Sequence, residues 1–266
     1  MIVIKKMAGR NLKISLVTPS FNQGQFIEQT IKSVLGQKYP NLEYIVMDGG
    51  SKDGTTHLLK KYTRQIDWTS GKDKGQSDAL NRGFRKSTGE IIGFINSDDY
   101  LLPGSLKKVS DFFHRYPRAL WVTGKCRIVD LNNREVRKAI TAYKNMLLKH
   151  FRLIQTLEII NFISQPATFW RRDIFKSVGL LDTDLHYSMD YDYWLRIWQK
   201  YPLYFLDDYL ACYRVHPSSK TVKSPENQFE EEYMLAKKHS NSIIIHCLHK
   251  WHATIAKLIY RKLLIK

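Results

Sequence analysis

Two clusters of acidic residues in this sequence have the composition and spacing of groups that act on a substrate. Asp98 and Asp99 are adjacent in the segment INSDD, which follows a predicted apolar strand. Their hard oxygen atoms suit Mg²⁺ or Mn²⁺, although two helix-capping carboxylates before Pro103 would look the same. Asp190 and Asp192 begin a predicted amphipathic helix in the segment MDYDYWLR. Two residues apart on a helix, they diverge by roughly 200° and cannot both face one site.

Four polar loops, each at the end of a predicted strand, are the places where such groups would meet. The loops read PSFNQG, DGGSKDGT, SGKDKGQSD and NSDD. Any one of them alone indicates only a turn, because Gly, Asn, Asp and Ser favour turns in general. Together they predict one site, since functional residues of an open α/β sheet lie beyond the carboxyl ends of its strands.

The elements that position these loops alternate between strand-like and helix-like segments. This alternation predicts βαβ units, and therefore an α/β fold with a Rossmann-like, mostly parallel sheet flanked by helices. The segment from about 119 to 152 looks less regular, and a helix is expected at about 189–200. Strands are predicted at 13–18, 43–47, 66–69, 90–95, 165–170 and 203–215, and helices at 25–37, 55–64, 77–86 and after Pro103.

The order and spacing of five segments resemble the family-2 glycosyltransferases with a GT-A fold. The segments are TPSFNQG, DGGSKDGT, GQSDALNRGF, INSDD and MDYDYWLR, and the likeness extends over roughly residues 12–216. The resemblance implies an inverting transfer of a sugar from a nucleotide-diphosphate sugar to an acceptor hydroxyl. Surface polysaccharide or glycolipid synthesis is the expected setting, with a UDP- or dTDP-sugar as donor and a saccharide or lipid-linked saccharide as acceptor.

The resemblance also assigns a nucleotide-binding role to the loops after the first three strands. A carboxylate that accepts a ring N–H can select the base, because a buried unpaired partner is costly. From the residues alone, Asp48 fits equally well as an Asx-turn that closes its strand. The nucleotide-binding residues implied are Thr18, Pro19, Ser20, Asn22, Asp48 and Asp73.

The resemblance further implies a divalent metal, Mn²⁺ or Mg²⁺, bound mainly by Asp98. His216, in the segment YRVHPSSK, matches a late histidine of the family and would add a metal or phosphate contact. Asp99 is placed nearer the donor sugar. Asn96 stands where the family motif commonly begins with Asp, and it is expected at the sugar or ribose.

For the acceptor side, the resemblance makes Asp190 the catalytic base. Met189 replaces the Glu that precedes this Asp in the family, so a neighbouring charge is absent. Gln165 is expected near the donor or acceptor sugar, because its amide suits sugar hydroxyls. Trp194 is a candidate for stacking on a sugar, although an aromatic residue on such a helix is more often part of the core.

The tail from 229 to 266 differs from the preceding domain of residues 1–228 and is expected to be a basic amphipathic helix. From Tyr233 onward the sequence contains no Asp or Glu. At roughly 100° per residue, Lys250, Lys257 and Arg261 cluster within about 40° of each other. Such a helix suits an anionic membrane surface, and a helix packed on the core fits equally. A separate apolar arc contains Leu248, Trp251, Ile255, Leu258 and Ile259.

A net charge of +17 predicts an anionic partner, and nucleic acid, anionic lipid and phosphorylated substrate all fit. The three cysteines share no close spacing and are expected to be reduced, buried thiols. The first thirteen residues lack a signal-peptide core, and no apolar run reaches the roughly 18 residues of a spanning helix. We therefore expect a cytoplasmic protein, soluble or peripheral on the cytoplasmic face of a membrane.

Two alternative classes remain open at this stage. The departures at Asn96 and Met189 would suit a non-catalytic GT-A-like protein that binds a nucleotide sugar or a partner. The charge would suit a nucleic-acid-binding protein. The acidic strand ends argue against that class, because they would repel nucleic-acid phosphates.

Overall fold

A mixed eight-stranded sheet forms the centre of the protein. The computed structural model describes residues 11–264, with side chains up to residue 259. The amino-terminal residues 1–10, for which a prediction was made, and the side chain of Arg261 lie outside the described part of the chain. The strands are β1 (Ile14–Ser20), β2 (Leu42–Asp48), β3 (Asp67–Ser70), β4 (Ile91–Phe94), β5 (Tyr100–Leu101), β6 (Trp121–Val129), β7 (Thr168–Arg171) and β8 (Tyr204–Arg214).

The described helices flank this sheet and continue beyond its last strand. Their bounds are α1 (Ile27–Leu35), α2 (Thr55–Lys61), α3 (Gln76–Lys86), α4 (Ser105–Arg115), α5 (Lys138–His150), α6 (Ile154–Ile159), α7 (Ile174–Val178), α8 (Met189–Trp198), α9 (Lys220–Lys223), α10 (Pro225–His239) and α11 (Ile243–Leu264). A 3₁₀ turn at Gln165–Ala167 precedes β7. The predicted α/β fold, with a mostly parallel sheet and a helical extension, is confirmed.

The topology collects most strand ends at one edge of the sheet. The strand order is β3-β2-β1-β4-β7-β6-β8-β5. Parallel pairs join β1 to β2 and β4, β2 to β3, and β6 to β8. Strand β7 runs antiparallel to both β4 and β6, so β6 and β8 point the same way as β1. The carboxyl ends of β1–β4, β6 and β8 therefore share an edge with the amino end of β7.

Two apolar layers cover the faces of the sheet. The alternation of side chains along β1 sends Val17 to one layer and Leu16 to the other. The layer containing Val17 holds a cluster of buried indoles, in which the rings of Trp121 and Trp194 are stacked with 5.8 Å between centroids. Helix α3 approaches β1 closely at Gly83, where any Cβ would collide with Val17.

The segment from 119 to 152 is more regular than the sequence predicts. It contains the nine-residue strand β6 and the thirteen-residue helix α5. Lys125 and Arg127 interrupt the apolar pattern of β6, and each pairs with an acidic residue at the surface. The strand is therefore stabilised by its long pairing with β8, which sequence periodicity does not reveal.

The last two helices pack against the sheet domain. The boundary expected at residue 228 falls inside α10, which contacts both α6 and α8. Asp192, fully buried on α8, accepts hydrogen bonds from Arg196 Nε at 2.7 Å and pairs with His239 Nε2 of α10 at 2.9 Å. Within the described residues, no helix is long and apolar enough to cross a membrane.

We expect Asp192→Asn to lower the free energy of unfolding by about 2 kcal/mol at pH 7. Burial alone would raise the pKa of Asp192, but His239 and Arg196 outweigh it and lower that pKa to about 2 from 3.8. The stability that this lowered pKa contributes is present above 3.8 and is lost as pH falls towards 2.

Urea unfolding of both proteins at pH 7 and at pH 3 measures this effect. The difference between wild type and variant should narrow at the lower pH, while the exposed control Asp184→Asn should show no difference. A difference that stays constant with pH would contradict the assignment of a charged Asp192.

Candidate active site

A cavity of about 700 Å³ opens along the edge of the sheet where the strand ends meet. At one end it is lined by the loops after β1, β2 and β3, including Pro19, Gly49 and Asp73. At the other end it is lined by β6 and α5, including Ile128 and Lys144. The strand order places the end of β4 between these halves, so one cavity joins two differently built walls.

Asp98, which lines this cavity, forms a pair with the buried His216. His216 Nε2 lies 3.0 Å from Asp98 Oδ2, and the imidazole is 6% exposed. The ring of Phe26 contacts the imidazole with 4.5 Å between centroids. Asp98 lines the cavity, and His216 contacts its carboxylate without itself being one of the lining residues.

Arg214, at the end of β8, fixes the backbone on which Asp98 stands. Its Nε donates to the Asp98 carbonyl at 2.8 Å, and its backbone N–H donates to Asp99 Oδ1 at 2.8 Å. Its Nη2 donates to Gln29 Oε1 of α1 at 2.7 Å. The guanidinium is buried, with the rings of Phe26 and Tyr100 on it. Arg214 therefore supports the backbone of the Asp98–Asp99 turn.

The expected sugar contact of Asp99 is corrected by its position behind the cavity wall. Its side chain is 0% exposed and is directed at the backbone of Arg214. Burial and the neighbouring charge of Asp98 raise the pKa of Asp99 well above its ordinary value. Asp99 therefore holds the turn, and adjacency in sequence to Asp98 does not place it on the substrate side.

Asn96 and Gln165 both line the cavity and are oriented by one amide network. Gln76 Nε2 donates to Asn96 Oδ1 at 2.8 Å, and Asn96 Nδ2 donates to Gln165 Oε1 at 3.3 Å. Gln165 Nε2 donates to the Phe94 carbonyl at 2.6 Å. The network joins α3, the end of β4 and the turn before β7, and it fixes which amide atoms remain for a ligand.

Three of the six predicted nucleotide-binding residues line the cavity, and all three lie on the wall next to β1–β3. Ser20 is 4% exposed, and its Oγ has no hydrogen-bond partner among the described residues. Asp73 Oδ1 accepts from the backbone N–H of Gly75 at 2.8 Å, which shapes the loop before α3. The residues concerned are Pro19, Ser20 and Asp73.

The other three predicted nucleotide-binding residues shape this wall from behind the lining. Thr18 is buried, with its hydroxyl 3.0 Å from that of Tyr44. Asn22 Oδ1 accepts from the backbone N–H of Lys52 at 3.0 Å. The Asp48 carboxylate accepts from the backbone N–H groups of residues 50 and 51 and from the hydroxyls of residues 51 and 70. Asp48 thus forms the Asx-turn that was its alternative interpretation.

Asp190 faces the cavity from the first turn of α8, while Asp192 points away into the protein. Asp190 Oδ1 accepts from the Tyr191 backbone N–H at 2.8 Å. Burial raises the pKa of Asp190 above its ordinary value, while that N–H and the Lys144 ammonium act in the opposite direction. The structure therefore separates the two carboxylates as the helical spacing predicts.

Several cavity residues were not identified as site residues by the sequence analysis. Lys144 comes from α5, and burial lowers its pKa while the charge of Glu232 opposes that shift. Lys220 Nζ donates to Gln76 Oε1 at 2.9 Å, and burial likewise lowers its pKa. No local pattern in the sequence marked either lysine as a cavity residue.

Glu231 of α10 organises the loop that leads into α8. Its carboxylate accepts the backbone N–H groups of His186 at 2.9 Å, Tyr187 at 2.7 Å and Ser188 at 2.5 Å. Tyr187 lines the cavity, and Ser188 is the N-cap of α8. The position of Asp190 thus depends on a helix that lies about forty residues later in the chain.

The expected sugar contact of Trp194 is wrong because the indole belongs to the core. It is 0% exposed and lies among Trp121, Trp170 and Tyr193. Position 194 is four residues after Asp190 and so lies close to it around α8, but deeper beneath the cavity.

The described residues contain no group of three His, Cys, Asp or Glu side chains placed to hold a metal ion. The pair Asp98–His216 has the right chemistry for Mn²⁺, which accepts both carboxylate oxygen and imidazole nitrogen. It fits a metal that takes its remaining ligands from water and from substrate phosphates, as Mg²⁺-type sites commonly do.

Known proteins resemble this chain in both sequence and structure. Residues 15–179 match the model of glycosyl transferase family 2. An uncharacterized glycosyltransferase of Rickettsia typhi is 27% identical over 222 residues, covering 82% of this chain and 68% of the relative. A poly-β-1,6-N-acetyl-D-glucosamine synthase of Staphylococcus epidermidis is 25% identical over 175 residues, covering 65% of this chain and 42% of the synthase.

Solved structures show the same fold at lower identity. S. aureus TarS 1–349 in complex with UDP-GlcNAc has a TM-score of 0.66 and 20% identity, covering 87% of this chain and 68% of that one. A mannosyltransferase of Pyrobaculum calidifontis in complex with GDP-Man and Mn²⁺ has a TM-score of 0.68 and 17% identity. The match covers 92% of this chain and 69% of the mannosyltransferase. This chain spans 40% of a longer TarS chain. With the strand-end loops gathered on one cavity and residues 15–179 matching the family model, the chain belongs to glycosyltransferase family 2 and has the GT-A fold.

Proposed function

We propose that this protein is an inverting glycosyltransferase that moves a sugar from a nucleotide-diphosphate sugar to an acceptor hydroxyl. The observation that carries the proposal is the cavity lined by both Asp98, which pairs with His216, and Asp190. An anionic leaving group and a hydroxyl nucleophile need a cationic centre and a base on the same substrate. This arrangement favours turnover over the non-catalytic alternative.

The donor would bind with its nucleotide between the loops after β1, β2 and β3. Pro19, Ser20 and Asp73 line that end, and Lys72 and Lys220 also line the cavity. The two ammonium groups suit a pyrophosphate. A UDP- or dTDP-sugar is favoured, and the complex of TarS with UDP-GlcNAc supports the UDP choice.

Asp98 and His216 would hold a divalent cation, Mn²⁺ or Mg²⁺, against the donor. Such a cation would supply charge neutralisation of the departing diphosphate. Arg214 keeps the Asp98 backbone in place, so the carboxylate does not have to reorganise when substrate binds. The Mn²⁺ in the mannosyltransferase complex supports a metal in this fold.

Asp190 would remove the proton from the acceptor hydroxyl while that oxygen attacks the anomeric carbon. The bond from the anomeric carbon to the diphosphate oxygen breaks in the same step, which inverts the configuration. Asn96 and Gln165, held by their amide network, would orient sugar hydroxyls between the two ends of the cavity. The raised pKa of Asp190 makes it a stronger base than an ordinary aspartate.

The acceptor would be a saccharide or a lipid-linked saccharide, in surface polysaccharide or glycolipid synthesis. The relative that makes poly-β-1,6-N-acetyl-D-glucosamine supports polysaccharide chemistry. We also propose that the protein works peripherally at the cytoplasmic face of a membrane, since lipid-linked acceptors are presented there. The sheet domain and the tail would act together in this arrangement.

One diphosphate among UDP, dTDP, GDP and CDP should raise the melting temperature, and Mn²⁺ should enlarge that rise. Ligand that binds only the folded state adds about 2.7 kcal/mol at a hundredfold excess over its dissociation constant. Asp98→Asn and His216→Ala should each remove the Mn²⁺-dependent part, because each takes one of two protein ligands away.

Thermal-shift measurements with and without Mn²⁺ test this prediction. The matched control is Asp111→Asn, an exposed carboxylate on α4 that pairs with Lys107. Its response should equal that of the wild type. If no diphosphate shifts the melting temperature, or if both site variants keep the full Mn²⁺ effect, the donor and metal assignments fail.

Asp190→Asn should lower the rate of sugar transfer by about 10²–10⁴-fold while leaving nucleotide binding unchanged. The amide keeps the size of the side chain but cannot take a proton. In the wild type, the rate should fall on the acid side at a pH above the ordinary pKa of aspartate, because burial raises the pKa of Asp190.

Release of the nucleoside diphosphate in single-turnover assays across pH measures both effects. Asp184→Asn, an exposed change in the loop before α8, is the matched control and should behave as wild type. Retention of most of the turnover by Asp190→Asn would show that another group is the base.

A further inference from the structure

Helix α11 turns an apolar stripe outward to solvent. The buried side of the helix carries His249 and Ala253. His249 is 3% exposed, and its Nδ1 lies 2.9 Å from the Glu158 carbonyl. The apolar arc predicted from the sequence lies on the opposite side and does not pack on the core. Within this arc Trp251 is 66% and Leu258 56% exposed, and in the first turn of the helix Ile243 is 77% and Ile244 72% exposed.

A second exposed apolar element lies on the connection between α5 and α6, two helices that contact α11. The corner at residues 149–153 joins α5 to α6, and all five of its residues are exposed. It reads KHFRL, with Phe151 49% and Leu153 60% exposed between basic neighbours. Helix α5 also touches α11, because the rings of Tyr143 and His252 stack with 6.3 Å between centroids. We call the α11 stripe and this corner together the outer surface.

The segments that build the outer surface contain no acidic residue. Neither 136–157 nor 233–259 has an Asp or Glu, and the two segments contribute five and four Lys or Arg residues. The corner carries Lys149 and Arg152 beside its apolar side chains, and Lys250 of α11 is exposed next to the stripe. Apolar area and positive charge therefore occur on the same elements.

We infer that the outer surface docks on an anionic lipid bilayer. A basic helix with an exposed Trp and aliphatic side chains can insert its apolar face at the headgroup boundary while its cations meet lipid phosphates. A second copy of this chain would bring two positively charged surfaces together without acidic partners. Nucleic acid would leave the aliphatic stripe in water, so charge and apolarity together favour the bilayer.

Helix α5 connects this surface to the cavity. Its residues Ile140, Thr141 and Lys144 line the cavity, while Tyr143 and Met146 are each 39% exposed on the outside. This inference rests on the proposed function and names its partner. A docked protein would hold the α5 wall of the cavity near the headgroups, where a lipid-linked acceptor presents its hydroxyl.

Flotation with phosphatidylcholine vesicles, with and without phosphatidylglycerol, tests the docking. The full chain should float with the anionic vesicles and be released by high salt. Trp251→Ser/Leu258→Ser and Lys149→Glu/Arg152→Glu should each weaken this binding by at least about tenfold, the first by removing inserted area and the second by reversing charge. All four positions are exposed, so the variants should keep their fold by circular dichroism.

The matched control is Lys60→Glu/Lys61→Glu, which reverses two exposed charges on α2 and should bind vesicles as wild type does. Equal binding by the wild type and both outer-surface variants would overturn the proposal, and so would equal loss in the control. Nucleotide-dependent thermal shifts and transfer to a water-soluble acceptor should be unchanged in all these variants. The vesicle assay can therefore contradict docking while the enzymatic proposal stands. The thermal-shift and transfer assays can likewise contradict the enzymatic proposal while docking stands.

Discussion

The buried guanidinium of Arg214 ties together parts of the site that come from opposite ends of the chain. A buried charge costs several kcal/mol unless its hydrogen bonds are satisfied. Here the donors reach the Asp98 carbonyl and Gln29, and the planar group lies against Phe26 and Tyr100. Because Phe26 also contacts the imidazole of His216, this arginine sets the spacing between a helix, a turn and a late loop.

The second constraint is the reversal of β7 within the sheet. Without an antiparallel strand between β4 and β6, the later strands would extend a uniform parallel sheet. With it, β6 and β8 return to the direction of β1, and their ends face the same cavity. The wall next to β1–β3 is thus built from consecutive βα units, while the opposite wall is assembled from α5, α8 and α10.

The different construction of the two walls explains which residues of the candidate site could be predicted from the sequence. The wall next to β1–β3 is built from local segments, so strand periodicity and polar strand ends placed Pro19, Ser20 and Asp73 on the edge of the sheet. Asp98 was assigned to the cavity for the same reason. Helical spacing also separated Asp190 from Asp192.

The positions of the misassigned residues depend on tertiary packing, which leaves no local pattern in the sequence. Asp99 and Trp194 are next to, or one turn from, a cavity residue, and only the packing shows that both point inward. Lys144 reaches the cavity from α5, a helix whose docking depends on long-range contacts. The strand β6 was missed because Lys125 and Arg127 break its apolar pattern, and its stability comes from pairing with β8.

The three backbone hydrogen bonds accepted by Glu231 have a consequence for how this chain can be divided. They make the entrance to α8 dependent on α10, so proteolysis or deletion within 225–239 would release the loop 186–188 and loosen Asp190 with it. The natural point of division is instead the break between α10 and α11, at Ser240 and Asn241. Cleavage at that break would leave the three hydrogen bonds of Glu231 in one fragment, because no residue of α11 takes part in them, and it would expose the surfaces of α6 and α10 on which α11 packs.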